Sequence, residues 1–365
     1  MSIQTEATMN ESINPRGAGG ETIYERDSLR ITVGRALESD GMALLKNTVY
    51  GTKGIRYQHT NQETKVRDLA NPSFFHLWQG NELIGIYCLD ERQLDIENRQ
   101  LTGFYGRYLS VAESRSNKGY GRLLKQKAMD YVQQHTSSPF LFYSYIEEKN
   151  ERSMAISVNE DFRSIALLKT YFFRRYAPVK DKRFGVATGD DLTRIIPLLG
   201  RFYRHYTFKT FAYIGYQSQY FVLKEGGHIV AGVQANPVCW RFIQMHGFWG
   251  PLLMKLAPLF PITRWYFNPA RQAFAVLEGF HHSEGRAHLL PILLESVLAH
   301  LGLHSAMWQI DERDPLTALL TRKEMGSFSG FRAGINTHVL VKSVGVPDVW
   351  LMAQRPLYVS CFDYS

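Results

Sequence analysis

One pattern in this chain is written twice, and it limits the possible folds more than any other feature. Residues 74–89 (FFHLWQGNELIGIYCL) and 220–235 (YFVLKEGGHIVAGVQA) place Phe75 with Phe221, Leu77 with Leu223, Gly80 with Gly226 and Leu83 with Ile229, a constant offset of 146 residues. Each segment reads as two strands joined by a tight turn at glycine. Upstream, residues 29–45 (LRITVGRALESDGMALL) and 184–199 (FGVATGDDLTRIIPLL) each join a short β-rich run to polar cap residues (Ser39 and Asp40; Asp190 and Asp191) and an amphipathic helix. Solenoid repeats run about 20 to 50 residues, so this offset signals a duplicated domain. With 365 residues, 45% of them hydrophobic, the chain can form two cores of roughly 150 residues each, and a disordered or fibrous protein is excluded.

After each hairpin the chain repeats an order: another strand (102–111; 272–280), a glycine-containing turn, a long helix, a strand (140–146; 305–310), a shorter helix and further strands. Tyr120, Leu123, Leu124, Ala128, Tyr131 and Val132 form one apolar face, the stripe of a helix packed on a sheet. This ββαβα order predicts an α/β fold with a mixed sheet. The run Val179-Lys180-Asp181-Lys182 breaks the pattern and sets the expected boundary near 178–183. The predicted parts are an N-terminal domain at 28–180, a C-terminal domain at 181–345 and an extension at 346–365. Residues 1–27, polar and carrying Glu6, Glu11 and Glu21, read as a disordered tail without the apolar core of a secretory signal.

An excess of 42 Lys+Arg over 34 Asp+Glu gives a net charge of +8, which favours an anionic partner: a phosphorylated cofactor, a nucleic acid or a membrane surface. Cys88, Cys239 and Cys361 are widely spaced and odd in number, so they form no disulfide framework or metal-ligand spacing; a reducing, cytoplasmic setting is expected. The apolar run 247–262 is broken by Lys255, Pro251, Pro258 and Pro261 and is shorter than the roughly 20 residues of a spanning helix. It reads as a buried or capping helix, with peripheral membrane contact or a greasy pocket wall as the alternatives.

The segment with the clearest chemistry is 109–124, LSVAESRSNKGYGRLL. A strand enters a helix through Gly119-Tyr120-Gly121, flanked by Arg115, Lys118 and Arg122. Glycine lets a backbone approach a ligand closely, and the free N–H groups at a helix start attract anions. The plain alternative is an ordinary strand-helix turn. A dinucleotide fingerprint is excluded, because the third glycine is missing and antiparallel hairpins precede the turn.

This order of elements and this turn resemble the GNAT superfamily of acyl-CoA-dependent N-acyltransferases, whose pyrophosphate signature is Arg/Gln-x-x-Gly-x-Gly/Ala. Gly119 and Gly121 match; Ser116 stands at the Arg/Gln position, with Arg115 one place earlier. In the family's second motif Asn150 and Phe162 match, Ser153 replaces Ala, and Ser157 and Asp161 stand where Tyr and Gly are usual. The resemblance implies two tandem GNAT-like domains, with acetyl-CoA or another acyl-CoA held by Val111, Arg115, Ser116, Asn117, Lys118, Gly119, Tyr120, Gly121, Asn150 and Ser153. The second half's turn, His282-Ser283-Glu284-Gly285-Arg286-Ala287, keeps Gly-x-Ala but sets Glu284 against a phosphate. That half is therefore expected to serve as scaffold or acceptor-side wall.

The resemblance also implies a thioester lying between the strand that ends at Val111 and the strand 140–146, attacked directly by a small-molecule or peptide amine. Such a reaction needs a base for the amine and an acid for the thiolate. Ser157 occupies the usual acid position, and a hydroxyl is a poor proton donor. The candidate replacements are Tyr105, Tyr145 and Glu147, with Tyr108, Tyr143 and Glu148 nearby; aromatic sheet filling and a solvated acidic edge are the structural alternatives. Other readings are an aminoacyl-tRNA-dependent transferase on the same fold and a non-catalytic CoA-binding or interaction module; DNA is not expected as a partner. The aromatic segment 202–220 is a candidate acceptor site or plain core. His281, His282, Glu278 and His288 lack a third metal ligand at a known spacing, so no metal is predicted.

Overall fold

Apolar and aromatic runs, buried on both faces along much of β4 and β5, build the first half around β2 (Leu29–Gly34), β4 (Pro72–Gln79), β5 (Glu82–Ile96) and β6 (Arg99–Val111), with β1 (Glu21–Arg26) added at the edge. The computed structural model describes residues 20–51, 55–247, 249–260, 263–264, 267–320, 336–347 and 355–364. The remaining first-half elements are α1 (Ser39–Asn47), β3 (Ile55–His59), α2 (Gln62–Arg67), α3 (Tyr120–His135), β7 (Phe140–Glu147), α4 (Glu151–Asn159) and β8 (Arg163–Arg174). The second half contains β9 (Phe184–Val186), α5 (Gly189–Phe202), β10 (Tyr220–Glu225), β11 (His228–Met245), α6 (Gly250–Leu256), β12 (Gln272–His282), α7 (Leu289–Leu301), β13 (Ser305–Asp311), α8 (Leu316–Leu320), β14 (Asn336–Val344) and α9 (Cys361–Tyr364).

The predicted mixed sheet is present: fourteen strands, in the order β1-β2-β4-β5-β6-β7-β14-β8-β13-β12-β11-β10-β9, with β3 paired to β11. The halves have exchanged strands. β14 lies antiparallel between β7 and β8, and β8 lies antiparallel between β14 and β13. Each core therefore takes in a side chain from the other half. Leu340 of β14 packs with Leu124, Ala128 and Val132 of α3, and Phe173 of β8 packs with Leu290, Leu294 and Val297 of α7. The boundary expected at 178–183 falls between β8 and β9, yet the sheet runs unbroken across both halves.

Two segments depart from their expected roles. The sequence places a tail up to residue 27, but Glu21–Arg26 pairs with β2 and Tyr131 donates a hydrogen bond to Glu21 (3.0 Å); residues 1–19 of that tail lie outside the described residues. The segment drawn as a C-terminal extension enters the core: Leu357, Tyr358, Val359, Cys361 and Phe362 are all buried. Phe362 stacks on Tyr213 with ring centroids 3.7 Å apart, and Asp363 meets Arg92 at 2.5 Å beside the Arg92–Asp90 pair at 2.6 Å. These runs are too short to show a period in sequence, and long-range pairing orders them.

The α5 start follows its sequence. Thr188 accepts from the Asp191 N–H and Asp191 accepts from the Thr188 N–H, a reciprocal cap, while Lys224 pairs with the same carboxylate at 2.8 Å. Of the run 247–262, residues 248, 261 and 262 lie outside the described residues; the others supply α6 and a following short turn and are largely exposed rather than buried. Among the described residues no helix is long and apolar enough to cross a membrane.

Candidate functional site

β6 and β7 run parallel and pair only from Thr102↔Phe140 to Tyr105↔Tyr143. Beyond that point β6 bulges against β5, where the register slips between Ile86 and Cys88 and Tyr108 takes a left-handed backbone (φ 59°). A bulge bends and re-aims its strand, and here β6 turns away from β7. The Ala112 N–H donates to the Ile84 carbonyl at 2.9 Å. Successive N–H groups point to opposite edges of a strand, so the Val111 N–H points away from β5, towards the gap.

A cavity of about 270 Å³ fills this divergence. One end is lined by Leu109, Lys125, Asn150, Ser153, Ile156 and Ser157; the other is lined by Tyr50, Tyr57, His59, Trp240, Met307, Gln309, Thr337 and Asp363. A larger open groove, about 800 Å³, runs beside α1 and α2 and touches neither β6 nor β7. Tyr87 and Ser144 also line the cavity beside Gly106, where a methyl group would overlap the Tyr87 hydroxyl. Trp240 Nε1, Gln309 Oε1, Thr337 Oγ1 and Arg107 Nε are buried without hydrogen-bond partners among the described residues. A polar group placed here would find donors and acceptors ready.

The phosphate-type turn lies beside the same gap. Gly119 precedes α3 with φ 80°, and no side chain caps the helix. The first turn of α3 carries no acidic residue, so its N–H groups and positive dipole end are not countered. Asn117 is also left-handed (φ 62°), and Ser116, Lys118 and Tyr120 complete the loop. A Cβ on Gly121 would sit 3.8 Å from Val111 Cγ2, an ordinary contact. Arg115 is held at 2.8 Å by Glu82 and Arg122 at 3.1 Å by Glu160. Asn150 caps α4, its Oδ1 accepting from the Ser153 N–H at 3.2 Å.

The catalytic candidates are brought together unequally. Glu147 lines the cavity and accepts from the Tyr57 hydroxyl at 3.3 Å; burial lifts its carboxyl above the usual range, with the Tyr57 bond pulling the other way. Tyr145 lines the cavity with its ring 5.2 Å from that of Tyr105. Tyr105 also lines it, but its hydroxyl donates to the Asp363 carbonyl at 3.1 Å and so braces the C-terminal segment. Burial pushes both phenols well above their ordinary ionisation.

Several lining residues had no sequence signal. Tyr57 and His59 lie on β3, a short polar strand that crosses from the first half to pair with β11. Tyr57 stacks on Trp240 at 4.1 Å, and burial drops the His59 ring to about 3, leaving the imidazole neutral. Lys125 did leave a signal: it sits next to Leu124 in the apolar stripe of α3 and is 3% exposed.

The second half repeats the divergence and fills it. β12 and β13 pair only at Ala275↔Ala306 and Val276↔Met307, and Gly279 (φ 59°) sits in the matching bulge. Tyr364 donates to the Leu277 carbonyl (2.8 Å), while Tyr358 (3.2 Å) and Cys361 (3.3 Å) donate to Glu278. At the corresponding turn, Gly285 is left-handed (φ 70°), Glu284 is exposed, Arg286 is tied to Glu225 at 3.0 Å, and α7 starts only at Leu289. His281 meets the Tyr220 hydroxyl at 2.9 Å. The aromatic segment 202–220 is largely core, with Tyr203, Tyr206, Phe208 and Tyr213 buried.

No family model matches the sequence, and no curated protein matches it. Solved structures do match. Saccharomyces cerevisiae N-myristoyltransferase with bound myristoyl-CoA superposes with a TM-score of 0.60 over 93% of this chain and 89% of that one, at 9% identity. The glucosamine N-acetyltransferase region of a fungal multi-domain GH3 β-N-acetylglucosaminidase gives 0.56 at 10% identity, over 93% of this chain and 40% of that one. A tandem GNAT protein from the clavulanic acid biosynthesis pathway gives 0.52 at 13% identity, over 87% and 99%.

Proposed function

For this protein of the GNAT fold, present in two copies, we propose an acyl-CoA-dependent N-acyltransferase whose first half holds the donor and whose second half walls the acceptor side. The carrying observation is that in the first half an open strand divergence lies beside an uncapped, acid-free helix start, whereas in the second half the helix start is likewise uncapped but the divergence is filled by the chain's own side chains. The residues suit the group: Gly119, Tyr120 and Gly121 offer backbone N–H groups to a pyrophosphate, Lys118 adds charge, and Asn150 and Ser153 line the route to the gap. Bound acyl-CoA supplies an activated thioester carbonyl.

Each residue then has a task. The Val111 N–H is placed to polarise a carbonyl in the gap. Glu147, with its raised pKa, takes the proton of an attacking amine, and Tyr57 orients it. Tyr145 forms the wall between them. The orphaned polar atoms of Trp240, Gln309 and Thr337 favour a polar amine as acceptor. Acetyl is the acyl group proposed, since a cavity of about 270 Å³ that also admits an acceptor amine favours a short chain.

The test is amine-dependent release of thiol from acetyl-CoA across a panel of amines, with calorimetric binding of CoA as control. Release by the wild type and loss of both signals in Gly119→Glu are expected; no CoA binding by the wild type would overturn the proposal.

A further inference from the structure

The apolar face of α3 carries a lysine at its centre. Lys125 donates to Ser157 Oγ at 2.6 Å, and its ammonium lies 3.9 Å from the centroid of the Phe162 ring. Both Lys125 and Ser157 are buried and line the cavity. No carboxylate lies within ion-pair distance of Lys125 among the described residues. Glu160 of the α4 end faces it more remotely, engaged by Arg122, and Lys342 of β14 faces it with like charge. Burial, opposed by Glu160 and reinforced by Lys342, brings the amine down to about 7. A buried ammonium without a counter-ion is costly and calls for a use.

Resting on the function proposed above, we propose that Lys125 supplies, through Ser157, the proton for the thiolate that leaves the acyl group. The carbon–sulfur bond breaks with its electron pair going to sulfur. The Ser157 hydroxyl gives its proton to sulfur as Lys125 passes one to Ser157 Oγ. The amine's proton goes to Glu147, and solvent later restores Lys125 and Glu147. Ser157 alone is too weak an acid for this step; an ammonium that titrates near neutrality matches the working pH.

The test reads the thiol as well as the turnover. Thiolate absorbance against pH is measured for CoA bound to the wild type, Lys125→Met and Ser157→Ala, with binding checked by calorimetry. The bound thiol should be at least about tenfold more acidic than free CoA in the wild type and revert in both variants, a shift of about one pKa unit. Turnover of acetyl-CoA by Lys125→Met should fall about 10²- to 10⁴-fold, and fall far less with the acetyl thioester of nitrothiophenol, whose thiolate leaves without a proton. Lys125→Met nearly conserves volume and removes a buried charge, so it should unfold no more easily than the wild type. Failure to bind CoA would overturn both proposals. Binding with an unshifted thiol, or equal losses on both thioesters, would overturn the relay alone.

A separate observation concerns the surface. Of thirteen exposed large apolar side chains among the described residues, eight are Ile55 or lie within 243–260; Trp249 (68%), Leu259 (70%) and Phe260 (59%) are among the most open. Pairing of β3 with β11 sets Ile55 opposite Met245, so the strands that carry Tyr57 and Trp240 into the cavity also carry Ile55 and Ile243 of this patch, and the rest follows on α6 and the residues flanking it. From Glu225 to Glu278 the sequence has no acidic residue between, while Arg241, Lys255, Arg264 and Arg271 are present. We infer that this face rests on an anionic lipid bilayer: exposed Trp, Leu and Phe match the acyl boundary and the basic residues match the headgroups. A second copy of the chain would oppose like charges across the contact.

Sedimentation with phosphatidylglycerol–phosphatidylcholine vesicles, with phosphatidylcholine alone and with salt added, tests this. Binding should need the anionic lipid, weaken with salt, and drop at least about tenfold in Trp249→Ser/Phe260→Ser and in Lys255→Glu/Arg264→Glu. No vesicle binding, binding unaffected by these substitutions, or patch-dependent self-association in solution would overturn it.

Discussion

Tyr364 hydrogen-bonds the Leu277 carbonyl at 2.8 Å, inside a strand divergence whose counterpart in the first half is a cavity. The same fold is thus built twice and left open once. Cys361 and Tyr358 complete the closure on Glu278, so the second half's gap is occupied by the chain's own side chains. A thioester could not lie there without displacing them.

The closure depends on the anchoring of its segment. Phe362 is fully buried and stacked on Tyr213, with Lys65 near its ring at 5.4 Å. Truncating a buried aromatic removes its transfer energy and leaves a cavity, so Phe362→Ala should cost about 3 to 5 kcal/mol in urea unfolding. A cost under about 1 kcal/mol would mean that the segment is only loosely seated.

Glu147 must be ionised to accept a proton. Burial raises its pKa, so the acid limb of turnover should lie above the usual carboxylate range. The Tyr57 hydrogen bond lowers that pKa, and Tyr57→Phe should move the limb to higher pH while keeping measurable turnover. Glu147→Gln should reduce turnover about 10²- to 10⁴-fold and abolish the limb. An unchanged pH profile in both variants would assign the base elsewhere.

Stability should depend on Glu278. Burial raises its folded-state pKa to about 7, above the ordinary value of about 4.3 in the unfolded chain. The raised pKa stabilises the fold fully below the unfolded value, and that contribution is lost as pH rises through about 7. At most it amounts to about 4 kcal/mol. Glu278→Gln keeps an acceptor for Tyr358 and should flatten the fall in unfolding free energy between about pH 4 and 7. Asp314, raised to about 6 beside Tyr206, contributes with the same sign and remains in the variant. An equally steep fall in Glu278→Gln would show that Glu278 does not carry the dependence.

The sequence reveals what is local. The hairpins at Gly80 and Gly226, the α3 stripe and the Gly119 turn all follow from short-range period and turn chemistry. The exchange of β8 and β14 is invisible there, because an edge strand's pattern fits either neighbour and the choice is made by pairing between distant residues such as Val341 and Tyr143. The same holds for β3, whose residues Ile55–His59 carry little apolar pattern yet deliver Tyr57 and His59 to the cavity. Lys125 was legible only as an exception, a charge set in an apolar stripe.

The central claim, two like halves of unequal competence, is tested most directly by calorimetric titration with acetyl-CoA of the wild type, Gly119→Glu and Gly285→Glu. Both glycines are left-handed and open to solvent at Cβ, so the two substitutions carry similar backbone strain. The account predicts one site per chain, lost in Gly119→Glu and retained in Gly285→Glu. Two sites, or loss of binding in Gly285→Glu with retention in Gly119→Glu, would contradict it.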